Sequence, residues 1–133
     1  MKIIDRLKDY ITKMNSRVNA RTVKLTTPKL RPLESMDAGL VYFGEVEERV
    51  GRRDYDSARV PLELSLELMR EGVLGLGNSK PQLSAYSGML MIRMIQLEIA
   101  LKDGRDAEVE EAMDGVRDRY NMVRMGLDSL MVA

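Results

Sequence analysis

Any chemistry in this chain would have to come from carboxylates, lysines, tyrosines or serines, because it contains neither Cys nor His. The missing His removes the commonest general base and metal ligand; the missing Cys removes thiolate sites and disulfides. Two constellations remain. Gly75-Leu76-Gly77-Asn78-Ser79-Lys80 has the glycines of a phosphate cradle. A phosphate loop, however, follows a strand and places Gly directly before Lys-Ser/Thr; here the order is Ser-Lys and the neighbour is helical in pattern, so the stretch reads as a helix–helix connection. Glu108, Glu110, Glu111 and Asp114 could gather a metal ion. Di-metal bundles pair such acids with a Glu-x-x-His motif, and these four lie off the apolar seam of their segment, so they read as the solvated start of a helix. No catalytic residue, cofactor or metal is expected, and the chain reads as non-enzymatic.

Methionine says more. There are eleven. Met69, Met89, Met94 and Met113 fall where core residues belong. Met122 and Met125 leave the seam of the last segment and share another face, near Gly115 and Ser129. Methionine outside a core makes a plastic apolar surface that accepts varied partners. Met122, Met125 and Met91, with Leu40 and Phe43, are therefore the candidate partner-binding residues; a second packing face within the fold is the competing reading of the off-seam methionines.

The elements that would carry these residues are helices. Leu, Met, Glu and Arg abound and aromatic residues are few. Ile4, Leu7, Ile11, Met14 and Val18 recur at steps of three and four, a narrow seam on an N-terminal helix that could also zip to a second copy. Residues 19–32 lose the period and read as a linker. Pro32 suits the first turn of a second helix, with Leu33, Met36, Leu40, Phe43, Val46 and Val50 on its inner face. Residues 51–54 form a turn. Residues 55–73 alternate Leu with Glu or Ser in the strand period at their centre, yet only a helix also explains the flanks. Pro61 should kink that helix or mark its true start. A Gly-rich break follows, and Ser79 with Gln82 reads as a capping box opening the fourth helix, residues 79–101. That helix is apolar nearly all round, so it should be the central and most buried one. Its length tempts a transmembrane reading, but Arg93, Gln96 and Glu98 fall inside it. After a turn at residues 103–105, the last helix, residues 106–131, carries Val109, Met113, Val116, Tyr120, Val123, Leu127 and Leu130 on one seam.

Charge divides the chain. Residues 1–31 hold nine Lys/Arg against two acids, and residues 32–133 hold twelve against nineteen, balances of +7 and −7 inside a net charge of zero. A basic N-terminal helix and linker, 1–31, thus precedes an acidic helical-bundle domain, 32–133. The arm could lie on its own body or a twin's, on a membrane surface, or on phosphates. Its apolar seam favours the first, so neither membrane nor nucleic acid is expected as a partner. The N-terminus lacks the apolar run of a signal peptide, and a cytoplasmic protein is expected.

Val23-Lys24-Leu25-Thr26-Thr27-Pro28-Lys29-Leu30 resembles the Thr-Ala-Ser-Pro-x-x-Leu stretch of flagellar export chaperones of the FliS type. Asp37-Ala38-Gly39-Leu40 is similar to that family's Tyr-Asp-Gly-Ala-Ile segment with Ala and Gly exchanged, and Met36 stands in place of the Tyr. The resemblance spans about residues 23–125 in layout. It implies a helical bundle that holds the helical C-terminal part of flagellin along apolar grooves. The expected fold is all-α: an up-and-down antiparallel bundle of four main helices, with the N-terminal amphipathic helix in addition. The expected role is a chaperone or adaptor for an amphipathic helix, the alternative a structural homo-oligomer joined through Ile4, Leu7, Ile11 and Met14.

Overall fold

The computed structural model describes residues 30–132, with side chains through residue 130. The N-terminal helix, its seam of Ile4, Leu7, Ile11 and Met14, and residues 19–29 of the linker lie outside the described residues.

The apolar seams of residues 30–132 form four helices: α1 (Pro32–Gly51), α2 (Tyr55–Leu76), α3 (Pro81–Asp103) and α4 (Asp106–Val132). Short connections make sequential neighbours antiparallel, and α4 returns to touch α1, which closes an up-and-down ring. The core is made of the residues that the three-four spacing selects: Met36, Leu40, Phe43 and Val46 from α1, Leu62 and Met69 from α2, Leu90, Met94 and Leu97 from α3, and Val109, Met113, Val116, Val123 and Leu127 from α4.

The helices α1 and α2 approach most closely. Ser65 Oγ donates to the Gly39 carbonyl at 2.6 Å, and Ser35 Oγ donates to the Leu68 carbonyl at 2.8 Å, so each helix bonds to the other's backbone through a buried hydroxyl. The approach requires glycine. A Cβ at Gly39 would stand 3.0 Å from the Ser65 carbonyl, and one at Gly72 would stand 2.8 Å from the Pro32 carbonyl and overlap the Met36 side chain.

The turn between α1 and α2 explains how Pro61 is tolerated. Helix α2 begins at Tyr55, six residues before the proline, so Pro61 does not mark its start. Asp54 caps it, accepting from the Ser57 amide. Pro61 has no N–H, so the Ser57 carbonyl lacks its helical donor. Arg49 Nη1, on the last turn of α1, supplies one at 2.7 Å. The end of α1 closes with Arg53 N–H on the Val50 carbonyl and Asp54 N–H on the Arg49 carbonyl, a Schellman arrangement. Arg53 takes the left-handed position at φ 59°, where glycine is usual. At the same end Arg53 and the Tyr55 hydroxyl both reach Asp106 at the start of α4.

Two expectations fail in physical ways. Ser79 does not cap α3: with Pro81 at the first helical position the cap residue is Lys80, which has no acceptor, and Ser79 Oγ instead donates to the Leu76 carbonyl at 2.7 Å. Nor is the helix of residues 79–101 the most buried. Its outer face, Met89, Ile92, Ile95 and Ile99, is exposed, and it is α1 that is enclosed without interruption from Ser35 to Leu40. Helix α3 is apolar on both sides, but only the side that faces the ring is buried. Helices α1 and α4 meet through Arg124, which bonds Asp37 at 2.6 Å and Asp128 at 2.8 Å, and through the Phe43 and Tyr120 rings, 5.7 Å apart.

The packing makes three expectations testable. Gly72→Ala should lower unfolding stability by about 1 kcal/mol or more in urea denaturation, because steric overlap outweighs the gain in helix propensity. Gly44→Ala, with nothing near its Cβ, should instead raise stability by up to about 1 kcal/mol. In a double-mutant cycle, Arg49→Met should cost about 1.5–3 kcal/mol beside Pro61 and much less beside Pro61→Ala, where an amide again serves Ser57.

Candidate partner groove between α3 and α4

The seam between α3 and α4 opens into a surface groove at the end of the bundle where α3 begins and α4 finishes. Pro81 at the first position of α3 fixes its backbone, and the first two turns present Gln82, Leu83 and Tyr86. Facing them, the last turns of α4 present Met122, Met125 and Leu130. The groove encloses about 680 Å³ and is mostly apolar in lining. Its floor is Leu83, which is buried, and its rim is Met125, 74 % exposed. Gln82 Nε2 donates to the Tyr86 hydroxyl at 3.2 Å, which fixes the phenol at the edge. Arg119 approaches the Met122 sulfur at 3.7 Å. Apolar walls with thioethers at the mouth suit side chains of varied shape.

Toward the other end the same seam changes character. The Arg93 stem crosses it over Gly115, whose Cβ position lies 3.4 Å from Arg93 Cδ, and Arg93 Nη1 donates to Gln96 Oε1 at 3.1 Å. Beyond Arg93 the lining is Ile99, Asp103, Glu108 and Glu111 around about 330 Å³. A ligand spanning the whole seam would thus meet an apolar half and then a mainly acidic half.

The outer face of α3 continues the apolar surface. Met89, Ile92, Ile95 and Ile99 stand exposed at three- and four-residue steps, with Ile92 59 % exposed. A contiguous apolar patch on one helix face is the kind of surface that proteins use to meet other proteins.

The sequence-selected residues divide three ways. Met122 and Met125 line the groove together. Met91 lies on the far side of α3, in a shallower groove against α2 with Leu66, Ile95 and Glu98. Leu40 and Phe43 are each 1 % exposed and packed in the core, so a partner could reach them only by opening the bundle. Their inward phase follows from the same seam that identified α1. Met89, expected inside, stands at the surface. Sequence reasoning missed Tyr86, Leu83 and the isoleucine stripe. The available signal was the near-uniform apolarity of their helix, read as depth instead of two-sidedness. Among the described residues, no group of three or more acids could hold a metal ion, and no helix is long and apolar enough to cross a membrane. Of the Gly-rich stretch at 75–80, Gly75 and Leu76 end α2 and residues 77–80 connect it to α3.

No family model, curated protein or solved structure matches the chain.

Because Ile92 is 59 % and Ile99 56 % exposed, Ile92→Lys with Ile99→Lys should leave stability within about 0.5 kcal/mol by thermal denaturation. The same pair should reduce binding of an apolar-surface dye such as anilinonaphthalene sulfonate.

Proposed function

We propose that this chain is a non-enzymatic binding protein that seats an amphipathic helix of another protein in the groove between α3 and α4. The observation that carries the reading is Met125: a large flexible apolar side chain held open to solvent at the mouth of an apolar groove floored by Leu83. Helix-in-groove recognition needs such a trough for side chains at i, i+3, i+4 and i+7. The acidic stretch beyond Arg93 favours a partner helix with basic residues at one end. The absence of His and Cys from the sequence supports a role without catalysis. The resemblance at Thr26-Thr27-Pro28 and Asp37-Ala38-Gly39-Leu40 gives the narrower form of the reading, an export chaperone or adaptor whose partner is the helical C-terminal part of a flagellin.

A structural homo-oligomer is the second reading, and the exposed Ile92, Ile95 and Ile99 favour it. Light scattering on the full chain separates the two, since a stripe-to-stripe oligomer falls to monomer on Ile92→Lys.

The groove is tested with a fluorescently labelled amphipathic peptide carrying leucines at i, i+3, i+4 and i+7 and lysines at one end. Met122→Glu with Met125→Glu should weaken its binding by about tenfold or more while the far-ultraviolet circular dichroism stays the same. Equal binding by wild type and variant would remove the groove from consideration. The flagellin C-terminal segment in the same assay decides the narrower form.

A further inference from the structure

The mouth of the α3–α4 groove holds a reactive group that docking alone does not use. The sequence has no Cys, so no thiol can serve as a reversible redox group. Methionine remains, and its first oxidation product, the sulfoxide, is returned to the thioether by dedicated reductases. The methionines differ sharply in how far an oxidant can reach them. Met36, Met69, Met94 and Met113 are at most 2 % exposed and belong to the core. Met91 and Met122 are half-buried, and Met89 is 38 % exposed. Met125 is 74 % exposed and stands beside Met122 on the groove. The most accessible of these sulfurs thus lies where the surface is built to receive an apolar guest.

We propose that Met125, and at higher dose Met122, are sites of reversible oxidation by hydrogen peroxide, and that, given the helix-binding role proposed above for the groove, their sulfoxides close it to the guest. A sulfur lone pair attacks one peroxide oxygen; the S–O bond forms and the O–O bond breaks. The leaving hydroxide takes the proton of the transferred oxygen and departs as water. Sulfur loses two electrons and the peroxide gains them, so the step is complete with peroxide alone. The two sulfurs are not equivalent. Arg119 Nη1 lies 3.7 Å from the Met122 sulfur, which engages a lone pair and sets a cation beside an atom that grows more positive as it reacts. Met122 is therefore the slower of the two. Once oxidised, it offers the same guanidinium a far better acceptor, and a charge-assisted hydrogen bond to Arg119 holds its side chain in one shape. At Met125 the new oxygen is hydrated at the mouth, and a leucine entering over Leu83 would have to strip that water. Both changes remove the apolar, adaptable character that suits the groove to a guest. The core methionines react only when the bundle opens, so the groove is modified while the fold is intact.

The full-length protein is treated with hydrogen peroxide, and peptide mass spectrometry follows the gain of one oxygen atom at each methionine. Met125 should react before Met89, Met91 and Met122, and at least about tenfold faster than Met36, Met69, Met94 and Met113. Circular dichroism should not change. The labelled amphipathic peptide should then bind about tenfold or more weakly. Methionine sulfoxide reductases of both stereospecificities should restore its binding. Met122→Leu/Met125→Leu, compared only with itself, should show the same affinity before and after peroxide. Oxidation of Met89 ahead of Met125 would overturn the proposal. So would undiminished binding once Met122 and Met125 are fully oxidised, or a peroxide-induced loss in the leucine variant, which would place the effect on another methionine. Failure of the peptide to bind before any peroxide is added would count against the groove reading instead, and a peptide map led by Met125 would still uphold the oxidation site.

Discussion

The distance between α1 and α2 governs the rest of the bundle. It is set where side chains end: Gly39 and Gly72 let the two backbones close, and the hydroxyls of Ser35 and Ser65 then reach the opposing helix's carbonyls. A serine hydroxyl buried between helices stabilises only if it finds an acceptor, and at this spacing the nearest acceptors are main-chain oxygens. The contact is thus polar in its bonds and steric in its tolerance. The remaining two helices meet this pair through conventional side-chain packing, with Leu62 and Met69 on one side and Phe43 against Tyr120 on the other. Asp37 is nearly buried on α1 and would be costly without a counter-charge; Arg124 supplies it and so fixes the rotation of α4 against α1.

With one pair drawn tightly together, the α3–α4 side takes up the slack. Small residues there hold no close contact of the same kind: the seam is crossed by the Arg93 stem at Gly115 and is open at Met122 and Met125. One side of the ring is closed and bonded, the other grooved and apolar.

Much of the fold was legible in the amino-acid order because a three-four seam encodes both a helix and the direction it faces. The seams of α1 and α4 identify nearly every core residue they contribute, and the turns at residues 51–54 and 103–105 fall where the glycines and charges put them. What was not legible depends on partners distant in sequence. Pro61 alone looks like a helix boundary; only Arg49, twelve residues earlier, makes it acceptable inside α2. The hydropathy of α3 has no sign attached to say which of its apolar sides a neighbour covers. For the candidate site, Met122 and Met125 could be recognised as off-seam, whereas the opposing wall of Leu83 and Tyr86 comes from another helix and follows no local rule. Leu40 and Phe43 show the converse: a good core position and a good contact position are indistinguishable by residue type.

The Arg49–Ser57 bond has a bearing on how the chain melts and reforms. In an ordinary helix each carbonyl is served by an amide four residues on, so the first turns can form without help from elsewhere. Here the opening of α2 holds one acceptor that no later residue of the same helix can serve, and its donor sits on the helix before. The start of α2 is consequently not an autonomous unit: it gains its full complement of bonds only together with the end of α1. The two helices and the corner between them should therefore open and close as a single cooperative block, with the hairpin rather than the helix as the smallest piece of this protein that is complete in its own bonding.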